Sequence, residues 1–532
     1  VLDLAFPDTG IWPLAFPGIA LVLVALHGRK ADASFLVGLV FGVTFYFPHI
    51  EWAAVFLGPI PWSALSVLMA LWCGLGALLI TWAYRWLPHI WPSGPGRLLL
   101  LPAVVSGLWI GREGISAVWP YGGFSWGRVA FSQSESPLAP LFAWLGVAGV
   151  GFVMVFLAAL AIEIVREVRA SAAGGVRDAG GRLGVRPLIL QRVLLVAAVI
   201  LGLLALPAWT SLPGGGAIDG EAGSIRVGAV QGDTKAGYFD PPDQFGDNLR
   251  DQLVATEPVY GEDVDVVVWP EGSSDVNPLA YPDAAREFDE VVRRAGAPLV
   301  AGIVTARDTG EVDDSGEPVY RYYNTSTLWT AGERQTDFYD KKHPVPFGEY
   351  VPDRWFWRQF APDLIDLIGR EYTPGTTDAV LDIGSDKTDG RSVPAGIAIC
   401  FDIVDDQLLT DMVNQGAQIV FAQTNNADFG LTDESVQQLA IAQIRAIETA
   451  RSVVNISTVG TSAIIYPDGS VHHRLPIYEP GVMIDDVPLS TTTTPAVMVG
   501  RQIEWLVAFG GLLVLGLAGW SSRAFRRPSG RA

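Results

Sequence analysis

Residues 264–275 read VDVVVWPEGSSD. Four valines and Trp269 form a short apolar run, the pattern of a strand buried on both faces. Pro270 has no N–H to give to a ladder, so the strand stops there and Glu271 stands just past its carboxyl end. Residues 393–406, VPAGIAICFDIVDD, repeat the pattern, with Cys400 closing an apolar run. Working outward, residues 224–230, 298–304 and 417–422 also read as strands. Residues 282–295 and 435–454 carry helical spacing. In the second helix Leu439, Ala442, Ala446 and Ala450 share one face, and Arg445, Glu448 and Arg451 lie elsewhere. Strands alternating with helices predict a layered α/β domain. Ligands in such sheets bind beyond the carboxyl ends of strands.

The rest of the chain has a different character. Over 532 residues, half are hydrophobic, and 17% are charged against about 25% in a typical soluble protein. Mean hydropathy is +0.31, yet the net charge is −20. Position resolves the conflict: residues 213–503 hold 46 of the 56 acids and 20 of the 36 bases, a balance of −26, leaving +6 elsewhere. The acidic stretch reads as a folded aqueous domain and the remainder as membrane. This excludes a simple soluble enzyme and a disordered acidic protein. It also argues against a nucleic-acid partner, which needs a basic footprint.

A helix needs about 20 apolar residues to span the hydrocarbon core. Seven runs qualify as candidates: about 11–28, 34–58, 62–84, 98–115, 140–165, 190–210 and 503–520. The fourth carries Arg112 and Glu113 near its end, and the second contains Pro48, His49 and Glu51, so only part of it is expected to span. Arg29 and Lys30, Arg85 and Arg97, the cluster Arg166, Arg169, Arg177, Arg182, Arg186 and Arg192, and the tail Arg523, Arg526, Arg527 and Arg531 all fall on one side if every run crosses once. By the positive-inside rule that side is cytoplasmic and the acidic domain lies outside. The expected division is a membrane domain at 1–212, an extracytoplasmic domain at 213–495, and a final span with a basic tail at 496–532. Fourteen of the 18 tryptophans lie outside 213–503, as interfacial anchoring requires. Cys73 and Cys400 sit in different parts, so no disulfide is expected, and Cys400 is a candidate reactive thiol.

A third segment, TDFYDKKHPVPFGEYVPDRW at 336–355, holds Lys341, Lys342 and Glu349. The chain has only five lysines, which makes two adjacent ones conspicuous. Glu, Lys and Cys make chemical sense together. A carboxylate takes the thiol proton, and an ammonium favours the thiolate and stabilises an oxyanion. Each residue also has a plainer reading alone: Cys400 as a small core residue, Glu271 as a loop acid or helix cap, the lysines as a solvated face. Spacing does not join them.

WPE, then Y-x-K-x-H followed by VPFGEYVP, then ICFD, in this order, resemble the nitrilase (carbon–nitrogen hydrolase) superfamily. With the apolar spans the chain resembles the bacterial apolipoprotein N-acyltransferase family over essentially its whole length. VQGD at 230–233 and RAIETAR at 445–451 fit the same pattern. The resemblance implies a nitrilase-like α-β-β-α sandwich inserted in a polytopic α-helical membrane domain. It implies Glu271 as general base, Lys341 as oxyanion stabiliser and Cys400 as nucleophile, with Glu349, Asn324, Arg358 and Asn425 as supporting positions. It implies a bacterial cell-membrane enzyme that needs no metal or cofactor. The acyl donor would be a phospholipid and the acceptor a diacylglyceryl apolipoprotein.

This sequence departs from the family at several positions. Asp402 stands where Glu is common, Phe401 where Tyr is frequent, and Phe239 and Asp428 where Trp is expected. The family usually has eight spans, and the first is missing here, which points to a truncated or misassigned start. Trp355, Phe356, Trp357 and Phe360, within 344–361, are expected to form an arm or lid toward the membrane. Two alternatives stay open. One is a membrane-tethered amidase or nitrilase. The other is a degenerate homologue that scaffolds a polyprenol-phosphate mannosyltransferase.

Overall fold

The computed structural model describes residues 1–173, 222–234, 243–312, 316–330, 332–384 and 390–525, with isolated positions 191, 198, 201–202, 237 and 388. The chain separates into two compact units. The first comprises Val1–Glu51, Trp62–Ser211 and Met498–Ala532, and the second Trp52–Pro61 and Leu212–Val497.

The first unit is helical: α1 (Ala15–Leu26), α2 (Ala31–His49), α4 (Pro59–Ile90), α5 (Leu101–Ser116), α6 (Phe142–Ala173) and most of α13 (Pro495–Phe525), with α3 (Trp52–Leu57) belonging to the second unit. Among the described residues, five helical stretches are long and apolar enough to span a membrane: Ala31–His49, Pro59–Ile90, Gly96–Ser116, Ala139–Ala170 and Pro495–Ser522. The first expected run is a shorter apolar helix, Trp12–Leu26. Most of the sixth run at 190–210, and Arg177, Arg182, Arg186 and Arg192 of the basic cluster, lie outside the described residues. Small residues let the helices approach, as in membrane bundles. A Cβ on Gly38 would stand 2.5 Å from the Cys73 carbonyl oxygen. The charges noticed in the fourth run are paired: Arg112 meets Glu113 at 3.2 Å, and the Trp109 indole donates to Glu113 at 2.8 Å. Arg128 likewise meets Glu504 at 3.3 Å. Ionisable groups in such helices are tolerated when buried against partners of this kind.

The second run spans only in part, as its Pro48, His49 and Glu51 led us to expect. It is not one element: α2 stops at His49, with Pro48 in its last turn, and α3 packs with the second unit. Trp52 is edge-to-face with Phe429 at 5.4 Å, and Phe56 lies 5.1 Å from the same ring.

The second unit contains two six-stranded mixed sheets. The strands are β1 (Ser224–Gln231), β2 (Val266–Val268), β3 (Leu299–Val312), β4 (Pro318–Thr330), β5 (Arg334–Asp340), β6 (Val380–Asp382), β7 (Pro394–Ile399), β8 (Ile419–Thr424), β9 (Ser452–Ser457), β10 (Ala463–Ile465), β11 (Val471–Arg474) and β12 (Gly481–Pro488). One sheet runs β12-β1-β2-β3-β4-β5, the other β11-β10-β9-β8-β7-β6. The central pairs β1–β2–β3 and β7–β8–β9 are parallel. β2, β8 and β9 are buried throughout, as parallel strands covered on both faces must be.

Helices α7 (Asp247–Thr256) and α8 (Pro282–Ala295) cover the first sheet. On α8, Ala284, Ala285, Phe288, Val291, Val292 and Ala295 recur at three- and four-residue spacing and bury against Trp269, Leu299, Ala301 and Trp329. Two short helices, α9 (Arg354–Trp357) and α10 (Pro362–Ile365), precede the second sheet, which carries α11 (Asp406–Asn414) and α12 (Glu434–Thr449). The two sheets are tied by polar contacts. The Gln423 amide donates to the Trp269 carbonyl at 2.6 Å, and Gln231 accepts from Ser462. The result is an α-β-β-α sandwich whose sequence interrupts the helical membrane unit.

The expected helix at 435–454 needs correction. It ends at Thr449, because Ala450 adopts a left-handed backbone (φ 52°) and the β-branched run that follows enters the sheet as β9. On this helix the Arg445 side chain is fully buried, donating to the carbonyls of Ile403 and Val404 and pairing with Asp406 and Glu448.

Candidate active site

Glu271 follows β2 through Pro270. β3 runs directly beneath this turn, where Gly302 leaves room: a Cβ there would lie 2.5 Å from both the Glu271 Cα and the Pro270 carbonyl oxygen. Ser273 ties the turn down by two bonds to the Gly302 carbonyl, each 3.0 Å. Lys341 follows β5, its backbone N–H donating to the Asn324 carbonyl at 2.9 Å. Only 1% of Lys341 is exposed, and its Nζ lies 2.8 Å from Glu349 Oε2. Glu349 is fixed in turn by the Val345 N–H at 2.7 Å. Asn324, on β4, donates from one Nδ2 to Glu271 Oε1 (2.6 Å) and to Glu349 Oε1 (3.0 Å).

Cys400 follows β7 and is partly accessible. Its φ of 53° lies in the left-handed region, which a side chain with a Cβ rarely adopts. Such strain persists where the surroundings over-determine it. Asp402 supplies that restraint: its Oδ2 accepts from the Ile399 N–H at 3.1 Å and the Tyr339 hydroxyl at 3.0 Å.

The structure brings Glu271, Lys341 and Cys400 close enough for each to act on the ionisation of the others. Burial pushes Glu271 up to about 7, against the pull of Lys341 and with the push of Glu349. Burial would pull Lys341 down, but Glu349, Glu271 and Cys400 hold it above the ordinary lysine range. Burial, together with Glu271, raises the Cys400 thiol, and Lys341 opposes that rise. Asp402 is pushed up to about 7 by burial, countered by Lys341. The Cys400 thiol also acts on the Glu271 carboxylate as a hydrogen-bond partner, favouring its ionised form. The arrangement therefore offers a carboxylate beside a thiol, and a fixed ammonium, all in low dielectric, where electrostatic effects are strongest.

Other sequence-derived positions fall elsewhere. Arg358 does not join this cluster: its guanidinium is largely exposed and pairs with Asp366 at 2.9 Å. Asn425 is half-buried in a turn, accepting from Thr458 at 2.8 Å. Its neighbour Asn426 is the buried one, donating to Glu434 (2.6 Å) and Gln438 (3.1 Å). Asp428 and Phe401 are half-buried, and Phe239 lies outside the described residues. Trp357 packs beside Val351, Ile365 and Ile368 together with Leu57, while Trp355 and Phe360 are each 71% exposed. Sequence reading missed Glu434 and Gln438. The Gln438 amide lies 3.8 Å from Cys400 Sγ.

With this geometry in place, the known proteins it resembles are informative. A family model described as carbon–nitrogen hydrolase matches residues 226–495, and the chain is of that class. One described as apolipoprotein N-acyltransferase N-terminal domain matches residues 1–160. A Mycolicibacterium smegmatis protein named apolipoprotein N-acyltransferase is 30% identical over 97% of this chain and 83% of its own. A protein of that name from Azotobacter vinelandii is 28% identical over 100% of this chain and 95% of its own. This chain belongs to the apolipoprotein N-acyltransferase family. Among solved structures, an amidase of the nitrilase superfamily from Nesterenkonia covers 50% of this chain and 91% of its own, at 15% identity and a TM-score of 0.36.

Proposed function

We propose that the protein transfers an acyl chain from a membrane phospholipid to the N-terminal amine of a diacylglyceryl-cysteine apolipoprotein, through a thioester on Cys400. Membership of the family supports an acyltransferase that works on lipid and lipoprotein substrates at a membrane. The observation that carries the mechanism is the meeting of Glu271, Lys341 and Cys400 in one buried cluster.

In this reading Glu271 takes the Cys400 proton and the thiolate attacks the phospholipid ester carbonyl. Lys341 faces the oxyanion that develops. As the intermediate collapses, the C–O bond breaks and Glu271 returns its proton to the leaving lysophospholipid. The lipoprotein amine then attacks the thioester, the C–S bond breaks, and Cys400 regains a proton by way of Glu271. This is two-step covalent catalysis. Glu349 and Asn324 orient Glu271 and Lys341.

We assign residues 1–212 and 496–532, apart from Trp52–Pro61, to the bacterial plasma membrane, and Trp52–Pro61 with 213–495 to its outer side. The one-sided arginine clusters support this orientation. The exposed Trp355 and Phe360 suit an arm that meets lipid.

The test is single-turnover labelling with radiolabelled phospholipid in detergent. A hydroxylamine-labile label on Cys400, chased onto a diacylglyceryl lipopeptide, is the expected result, and Cys400→Ala abolishes both stages. Release of free fatty acid without transfer indicates the amidase-type hydrolase. Absence of any label on folded protein indicates a scaffold, of the kind a polyprenol-phosphate mannosyltransferase would use.

A further inference from the structure

The mechanism above leaves one buried acid beside Cys400 unused. Glu434 opens α12, where a glutamate is ordinarily a solvated residue that favours the helix dipole. Here it makes no capping bond and is only 2% exposed. Its one hydrogen-bond partner among the described residues is the Asn426 amide, at 2.6 Å. Asn426 is itself pinned: its Oδ1 accepts from Thr424 at 3.1 Å and from Ser457. Its Nδ2 also donates to Gln438 Oε1 at 3.1 Å. That bond fixes the Gln438 amide so that its N–H side is the one near Cys400 Sγ, at 3.8 Å. Glu434 and Gln438 are four residues apart on α12, so they share a helix face. The charged groups that Glu434 meets are Glu271 and the Cys400 thiol. Burial, opposed by Asn426 and reinforced by Glu271, pushes Glu434 up to about 8.

The second half-reaction calls for such a group. An α-amine has an ordinary pKa of about 7.7–8.0, so the acceptor arrives mainly as an ammonium at neutral pH. Two protons must leave its nitrogen before an amide exists. Glu271 holds one at a time, and it is needed for the proton released in the tetrahedral intermediate. An approaching ammonium offsets the burial that holds Glu434 protonated, so a carboxylate form becomes available to remove the first.

We infer that Glu434 receives the acceptor's ammonium group and takes its first proton, delivering a neutral amine to the Cys400 thioester. The ammonium and the Glu434 carboxylate become amine and carboxylic acid. The nitrogen then bonds the acyl carbon, the C–S bond breaks, and the second proton passes through Glu271 to sulfur. Glu434 gives its proton to solvent before the next turnover. This rests on the thioester reading above.

Glu434→Gln tests it, because the amide still accepts from Asn426 and keeps the local structure. Acylation of Cys400 by labelled phospholipid is measured first, then the chase with diacylglyceryl lipopeptide. Acylation within about threefold of wild type, with transfer slowed about 100-fold or more, is the expected outcome, given the usual contribution of a general base. Hydroxylamine, which is uncharged at neutral pH, strips the variant's thioester at the wild-type rate. Glu434→Asp, which retains an acid, restores part of the lost transfer. Wild-type transfer by the Gln variant, an equal loss in both steps, or an Asp variant no faster than Gln overturns the inference. Failure of the wild-type enzyme to form a thioester instead overturns the reading on which it rests.

Discussion

Asn324→Leu removes the amide that bridges Glu271 and Glu349 while keeping nearly the same volume. A hydrogen bond to a charged group contributes about 1.5–3 kcal/mol, and one pKa unit corresponds to about 1.4 kcal/mol. Loss of the 2.6 Å bond to Glu271 should therefore raise that carboxyl by about one to two units, from about 7 to about 8–9. The sign is definite: Asn324 favours the ionised form, so its removal favours the protonated one. At pH 7 the ionised fraction falls from about one half to between about a tenth and a hundredth, a loss of roughly 5- to 50-fold in Cys400 acylation. At pH 9 most of the rate returns. The assay is single-turnover labelling between pH 6 and 9, with thermal melting to confirm folding. The wild-type rate should climb through about pH 7, with Lys341 charged throughout. A variant slowed by the same factor at pH 7 and pH 9 refutes the claim that Asn324 acts by tuning Glu271.

Two further predictions follow from the same packing. Gly302→Ala places a methyl 2.5 Å from the Glu271 Cα, so the Pro270–Glu271 turn must shift. Acylation should fall about 100-fold, as misplacement of a reacting group by about an ångström does, with about 1–3 kcal/mol lost in denaturant unfolding. Arg445→Ala removes the buried guanidinium that pairs with Asp406 and Glu448 and donates to two carbonyls just past Cys400. Breaking a buried ion pair in this way should cost about 3–5 kcal/mol, read from the unfolding midpoint.

The strands that carry Glu271 and Cys400 were legible because each is an apolar run closed at one end by a reactive side chain. The 282–295 helix was legible in full, since its small and apolar residues keep strict helical spacing. The antiparallel strands β4 and β5 were not. Residues such as Arg321, Tyr322 and Tyr323 show no clean alternation, because part of β4 is solvated on both faces. The 435–454 stretch hid its end, since nothing in the local pattern of Ala450 announces a left-handed residue. The burial of Arg445 was not legible, because the two carbonyls and Asp406 that help to satisfy it come from a distant segment. Glu434 failed for the same kind of reason: as a first-turn glutamate it reads as a helix-end charge, and only the fold turns it inward. The Glu-Lys-Cys grouping rested on resemblance, since its outer members lie 129 positions apart.

The place of α3 has a practical consequence. Ten residues, Trp52–Pro61, lead from one membrane helix into the first residues of the next yet complete the catalytic half. An excised fragment that starts at Leu212 would present Phe429 without Trp52 and Phe56, and Ile365 and Ile368 without Leu57. The chemical half is thus a discontinuous product of the chain. A soluble derivative for screening inhibitors would have to carry that decapeptide as a graft, and cutting the gene at the apparent linkers would yield an incomplete, sticky remnant.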